Sequence, residues 1–385
     1  MDIYLDYCDR THQFRFPMDA FALQDVLDWV RQPDDPVVRC ILVGTDVCVP
    51  ELKGMEFAVN LYDLNAFAAR VDKLDAEDKA TFRSLLQWHP DCSFDDLLQF
   101  AFAVDSVVTY PYAEYETLGD YAIRECLLPE LQGVAEEELS LLDRRQFGKQ
   151  MAERYSGVFV DGFFSEPDTF ESRHITLEHY VPQGTVCQIQ VAPVDTQDLQ
   201  PLVWLDLPCS EDRLHQLEHD LGCPPSQMVC AGIRTMIPQL RLERDAVMEH
   251  IGVVNKLMQR LAELDRASLI KFKAVLEAER VCDPEEAAEL LGTLDEYDFD
   301  AQCADENDFA YQYLCKNLPS GFNGKLLETC DMYDLGGILL MEKRGSVTHY
   351  GVVGGRGEQL YSNITAASEQ EETQEQEDEI TLGGI

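Results

Sequence analysis

The stretch Leu64–Leu86, "LNAFAARVDKLDAEDKATFRSLL", decides how this chain is divided, because Val254–Leu276, "VNKLMQRLAELDRASLIKFKAVL", repeats it 190 residues later. Without a gap, Asn65 falls on Asn255, Arg70 on Arg260 and Leu74-Asp75 on Leu264-Asp265. Phe82 falls on Phe272 and Leu86 on Leu276. The apolar spacing repeats too: Leu64, Phe67, Val71 and Leu74 step by three and four, as do Val254, Leu257, Leu261 and Leu264. Such spacing puts one apolar stripe on a helix. A second helix follows through Phe82, Leu85 and Leu86, and a third over "FDDLLQFAF".

The match extends outward. Cys92 and Asp105 fall on Cys282 and Asp295, and Leu128-Pro129 on Leu318-Pro319. Upstream, Phe16–Leu27 sits beside Leu207–Glu218, pairing Pro17 with Pro208 and Leu23 with Leu214. Downstream, Leu141–Phe164 is similar to Thr329–Val353, with Asp143, Phe147 and Gly148 opposite Asp331, Leu335 and Gly336. Blocks kept in order over this length indicate a tandem duplication of a domain rather than solenoid units, which run to about 20–50 residues. Short β-type runs flank the helical middle: Val37–Gly44 and Ser106–Tyr112 in the first copy, Val186–Ala192 and Val347–Val353 around the second. The expected fold is therefore α+β: two tandem copies of an elongated unit, residues 1–180 and 185–360, with small antiparallel sheets flanking a helix cluster. The turn-rich Ser165–Gly184 is the expected join. Residues 361–385 carry seven acids, no base and little to bury, which predicts a disordered acidic tail.

Composition sharpens the question of function. At 385 residues with 45% hydrophobic content, the chain can build two or three cores. Seventy-two acids against thirty bases leave a formal charge of -42, which opposes compaction by self-repulsion and points to a basic partner or a halophilic source. Thirteen scattered cysteines include no CxxC pair, so neither a zinc ribbon nor a redox motif is indicated. With no signal peptide at the start and no apolar run near 18 residues, a reduced cytoplasmic protein without a membrane partner is expected.

Placement of the charge says more than its total. Ser84–Ile123 holds no Lys or Arg but contains Asp91, Asp95, Asp96, Asp105, Glu114, Glu116 and Asp120. Val281–Cys315, the matching stretch, also lacks a base and holds Asp283, Glu285, Glu286, Glu289, Asp295, Glu296, Asp298, Asp300, Asp305, Glu306 and Asp308. Ordinary helix surfaces interleave acids with bases. A solvated acidic face inherited by both copies is the plain explanation. A calcium loop is not: "DEYDFDAQCADEND" lacks the required order and the glutamate at position twelve. The functional reading is a surface that stands in for nucleic-acid phosphates. B-DNA carries one charge per about 1.7 Å, so a charge of -42 corresponds to about 70 Å, on the order of 20 base pairs.

Several blocks resemble the ArdA-type antirestriction proteins. Trp204-Leu205-Asp206-Leu207-Pro208 and the following "CSEDRLHQLEHDLG" are similar to that family's W-x-D-L-P opening and helix. "LYDLNAFAARVDKLDAEDKATFRSLL" resembles its central helices, and "EYETLGDYAIREC" its E-Y-x-S-x-E-x-Y-A segment. The segments around Asp143–Gly148 and Asp331–Gly336 are similar to its closing D-Y-E-x-x-G. The resemblance implies a cytoplasmic, non-enzymatic DNA mimic from mobile DNA. It would need no cofactor or metal and would not bind nucleic acid itself. It would occupy the basic DNA-binding channel of a type I restriction–modification enzyme. Family members are typically dimers of a single unit, so two copies in one chain could supply that two-fold arrangement alone, with a further homodimer as the alternative. The first copy departs from the pattern, since "FRFP" lacks the Trp and Asp of "WLDLP". Rival targets are a CRISPR effector or another nuclease; rival functions are an acidic scaffold for histone-like proteins and a zinc peptidase. The last rests on His215-Gln216-Leu217-Glu218-His219, an H-x-x-E-H pattern that the first copy replaces with Gln24, Leu27 and Asp28. "YGVVGGRGEQ" and "SGFNGK" lack the context of a phosphate-binding loop.

Overall fold

The computed structural model describes residues 1–7, 10–30, 37–42, 49–125, 127, 131–177, 183–194, 201–242, 248–318, 325 and 329–362. The expected tail beyond Ser362, the Leu128-Pro129 block, Pro319 and most of "SGFNGK" lie outside the described residues. Tyr361 and Ser362, the first two residues of that expected tail, are instead half-buried and hydrogen-bonded to Asp300 and Lys343. The chain is mixed α and β, 49% helix and 19% strand, with small antiparallel sheets. It divides into two compact units: Met1–Met18 with Gln32–Tyr180, and Asp19–Arg31 with Val181–Ile385.

The first unit opens with a hairpin of β1 (Asp2–Tyr7) and β2 (Arg10–Arg15) that the sequence reading did not identify. The next helix, α1 (Ala20–Val30), belongs to the second unit. β3 (Val37–Leu42) and β4 (Glu56–Asn60) complete an antiparallel sheet in the order β2-β1-β3-β4. Ile3 pairs with Leu42 and Leu5 with Cys40, and all four are buried. The helical middle is α2 (Leu61–Asp72), α3 (Ala76–Trp88) and α4 (Phe94–Phe102). The stripe expected for α2 is its buried face: Leu64, Phe67, Val71 and the following Leu74 are all buried. Each such side chain contributes about 1.5–3 kcal/mol relative to exposure. Asn60, Asp75 and Ser93 cap these helices by accepting from backbone N–H groups. Then come β5 (Val108–Tyr110), α5 (Tyr115–Arg124), α6 (Glu136–Leu139), α7 (Arg144–Arg154), β6 (Val158–Val160) and β7 (Phe163–Glu166). The three strands form a sheet ordered β5-β7-β6.

In the second unit β8 (Cys187–Pro193), β9 (Val203–Leu207) and β10 (Met228–Thr235) form a sheet ordered β10-β8-β9, with α8 (Glu211–Leu221) between the last two in sequence. α9 (Ile251–Ala262), α10 (Arg266–Glu279) and α11 (Pro284–Leu291) make the helical middle. β11 (Phe299–Asp300), α12 (Glu306–Asn317), α13 (Met332–Glu342), β12 (Ser346–Thr348) and β13 (Gly351–Val353) follow. The single strand expected over Val347–Val353 is a hairpin instead. Thr348 Oγ1 accepts from Tyr350 N and donates to Gly351 O, and Gly351 adopts a φ of +152° that side chains disfavour.

α1 belongs to the second unit and is largely buried. Phe21, Leu23, Val26, Leu27, Trp29 and Val30 are buried, and so is Asp28. From α10, the fully buried Lys273 donates to Asp28 Oδ2 at 2.7 Å and to Asp25 Oδ1 at 2.9 Å. Arg266 Nε donates to Asp28 Oδ1 at 3.0 Å, and the Tyr350 hydroxyl donates to Asp25 Oδ1 at 2.6 Å. Two carboxylates thus face two cations in a site largely closed to water.

Glycine sets how closely α12 and α13 approach. A β-carbon at Gly336 would lie 2.0 Å from the Glu306 carbonyl oxygen, whereas one at Gly337 would meet nothing within 4 Å. Gly336→Ala is therefore expected to destabilise the second unit by about 1–3 kcal/mol through overpacking. Gly337→Ala should stabilise it by about 0.5–1 kcal/mol, the ordinary gain within a helix. Denaturant midpoints of the two variants measure both signs.

Candidate functional site

The first acidic run is carried by α4, the turn after it, and the start of α5. Asp91, Asp95, Asp96, Asp105, Glu114 and Glu116 are exposed and Asp120 is half-buried. Asp96 Oδ2 accepts from Ser93 Oγ at 2.7 Å and Ser93 N at 2.8 Å, which holds its carboxyl below the usual range. Two acids receive cations from outside the run: Arg173 Nη1 lies 2.9 Å from Asp105 and Arg144 Nε 2.8 Å from Asp120. Carboxylates also crowd: burial, then Asp75, raises the Asp78 carboxyl, and Asp105 pushes the same way against the pull of Arg70.

The second run belongs to α11, the turn at Leu294–Glu296, and the start of α12. Asp283, Glu285, Glu286, Glu289, Asp295 and Glu296 are exposed; Asp298, Asp300, Asp305, Glu306 and Asp308 are half-buried. Much of this run holds backbone. Asp283 Oδ1 accepts from Glu285 N and Glu286 N, and Asp305 Oδ1 from Asp308 N. Asp308 Oδ2 accepts from Ala304 N, and Asp298 Oδ2 from Leu360 N. Asp300 accepts from Gln302 N and from the Tyr361 hydroxyl, with Lys316 Nζ 3.8 Å away. Arg356 Nε, 2.5 Å from Glu296, draws that carboxyl below its ordinary value. Asp295, Glu296, Asp298 and Glu358 line one open cleft.

None of the eighteen expected site residues is buried, and twelve are exposed. The structure corrects the idea that the runs lack counter-ions: Asp105, Asp120, Glu296 and Asp300 each have one, supplied from elsewhere in the chain. Asp96, Asp283, Asp298, Asp305 and Asp308 are tied to backbone N–H groups. The remaining nine make no ion pair or side-chain hydrogen bond among the described residues: Asp91, Asp95, Glu114, Glu116, Glu285, Glu286, Glu289, Asp295 and Glu306. Several of the eighteen sit in helix first turns, where a negative charge stabilises the helix by about 0.3–1 kcal/mol. That structural use accounts for part of the acid excess, and only the sequence signature of an N-cap followed by acids could have separated it beforehand.

His215 and His219 lie exposed on α8, their rings nearest Glu218 and Asp220. No group of three or more His, Cys, Asp or Glu residues suited to a metal ion occurs among the described residues. No described helix is long and apolar enough to cross a membrane. No protein-family model matches the chain, and no curated protein is significantly similar to it.

Proposed function

We propose that the protein is a non-enzymatic anti-defence inhibitor that presents carboxylates in place of DNA phosphates. On this reading it occupies the basic DNA channel of a restriction–modification enzyme, of type I on the family resemblance, in the cytoplasm. The observation that carries the proposal is the pair of largely exposed acidic runs, at matching places in two units, nine of whose carboxylates pair with no cation among the described residues. Association would draw on electrostatic complementarity and counter-ion release, as in DNA binding. A purified type I enzyme supplies the test: the chain should compete with DNA, and its inhibition should fade as salt rises. Inhibition of a CRISPR effector or nuclease alone would move the target within the same mechanism. Capture of free histone-like proteins with restriction untouched would replace it with a scaffold.

We further infer that the two units arose by tandem duplication. In both, the first three strands have the same order, β2-β1-β3 and β9-β8-β10, and so do the last three, β5-β7-β6 and β11-β13-β12. Asn65 clamps Met18 N and O, and Asn255 clamps Cys209 N and O. Gly148 and Gly336 both mark close helix contacts, against Tyr115 O and Glu306 O. Arg83 and Lys273, equivalent by the 190-residue shift, each hold two carboxylates, Glu51 with Asp161 and Asp25 with Asp28.

The homodimer belongs to the same proposal, with α13 as its face. Tyr333, Ile338 and Met341 are 61%, 56% and 80% exposed, whereas Arg145, Gln150 and Glu153 hold the matching positions of α7. The occupant is a second copy of α13. An antiparallel pair crossing at Gly337 sets Tyr333 against Met341 and brings the Asp331 end of each helix near Arg344 of the other. Met341→Glu with Ile338→Glu should convert the dimer to monomer in sedimentation without lowering the melting temperature of the monomer. A wild-type chain that sediments as a monomer overturns the pairing.

A further inference from the structure

We propose that the notch at the end of α3 is a socket for an arginine side chain of the basic partner, an inference that rests on the charge-mimicry reading. The cavity is open, about 430 Å³, and its walls are aromatic. His89 and Phe100 stack with ring centroids 5.4 Å apart, and Phe170 meets Phe100 edge-on at 5.2 Å. Trp88, the last residue of α3, remains 39% exposed at the mouth. Two carboxylates stand in the same lining, Asp91 and Asp96. Ser93 fixes Asp96 through both its N and Oγ, so that carboxylate is held in place before any ligand arrives. Asp91 makes no ion pair among the described residues. Both carboxylates bear on the interior of the notch: the Cys92 thiol is pushed up by burial first, and then by Asp96 and Asp91.

This combination selects a particular chemistry. An apolar ligand would fill the aromatic walls but desolvate Asp91 and the Oδ1 of Asp96, which Ser93 does not reach, without compensation. A guanidinium satisfies both requirements. Its planar face stacks on aromatic rings, its edge donates to carboxylates, and its weak hydration makes entry into a partly closed notch cheaper than for an ammonium. The notch is also not a general property of an acidic coat. By the 190-residue shift, Trp88, His89, Pro90 and Asp91 fall on Ala278, Glu279, Arg280 and Val281, and Phe100 falls on Leu290. The second unit thus lacks the aromatic walls, has an apolar residue where Asp91 stands, keeps an acid only opposite Asp96 (Glu286), and places a cation, Arg280, in the segment. Specific anchoring would come from the first unit and diffuse attraction from both.

The test uses the full chain and a small probe, N-acetyl-arginine methylamide, with the neutral citrulline analogue as control. Binding is measured by isothermal titration calorimetry and, in the wild type, located by the indole resonances of selectively labelled tryptophan. The arginine probe should shift the Trp88 signal and leave that of Trp204, which already stacks with Arg234. The citrulline analogue should do neither. Trp88→Ala and Asp91→Asn should each weaken binding about threefold to tenfold, and Trp88→Phe, which keeps an aromatic face, should retain most of it. Equal binding of citrulline, or full binding by Trp88→Ala, overturns the socket. Because no enzyme is present, the result is separate from inhibition. Salt-sensitive inhibition with no arginine binding rejects the socket alone, and arginine binding with no inhibition upholds the socket while rejecting the mimic.

Discussion

Replacing Asp28 with alanine is expected to destabilise the second unit by about 3–5 kcal/mol, the cost of leaving a buried charge without its partner. Lys273 is wholly shielded from solvent, and Asp28 supplies its shorter hydrogen bond, 2.7 Å against 2.9 Å to Asp25. With Asp28 gone, Lys273 shares Asp25 with the Tyr350 hydroxyl, and Arg266 loses its Nε acceptor. Lys273→Met alone should cost a similar amount, since two acids then face only Arg266. The paired change Asp28→Leu with Lys273→Met should recover most of the loss, because it removes a buried cation and anion together and leaves apolar side chains in their place. A two-unit chain need not unfold in one step, so the measurement follows Trp29, which lies buried in α1 beside this cluster. A denaturant midpoint for Trp29 that is unchanged in Asp28→Ala would show that the cluster contributes nothing to holding α1.

That cluster marks the boundary of what could be read from the chain. The stripe of Leu64, Phe67 and Val71 was legible because helix periodicity and burial are local and agree. Lys273 was not, because its partner Asp28 is 245 residues away and a lysine on an apolar face looks like noise in the pattern. The placement of α1 was hidden for the same reason: nothing in its own sequence says that it belongs with residues after Val181. The acidic runs were half legible. A scan along Ser84–Ile123 finds no base, yet Arg173 reaches Asp105 from 68 residues downstream. The residues that mattered for charge compensation were close in space and distant in sequence. The β1–β2 hairpin left a usable signal, alternation of Ile3 and Leu5 with Asp2, Tyr4 and Asp6, which was overlooked in so short a segment.

The distinction between acids that hold the fold and acids that are free determines how the inhibitory surface should be tested. A set drawn from the second run without regard to contacts, such as Glu285, Glu286, Asp295, Glu296, Asp298 and Asp300, would include Asp298 and Asp300, which accept from backbone N–H groups, and Glu296, which pairs with Arg356. Their loss would confuse misfolding with loss of binding. The better set is Asp91, Asp95, Glu285, Glu286, Glu289 and Asp295, each changed to its amide. Three of these sit in helix first turns, so the fold should lose only about 1–3 kcal/mol through the helix dipoles. If each free carboxylate takes the place of one phosphate, the six together account for a slope of up to about -5 in log affinity against log salt. Wild-type inhibition should then fall by about a thousandfold between roughly 50 and 200 mM salt. The six-site variant should inhibit far more weakly at low salt and show a much flatter salt dependence, with the two curves converging as salt rises. A variant that melts cooperatively near the wild type yet inhibits with the same strength and the same slope would remove these carboxylates from the interface, and charge mimicry by the two runs with them.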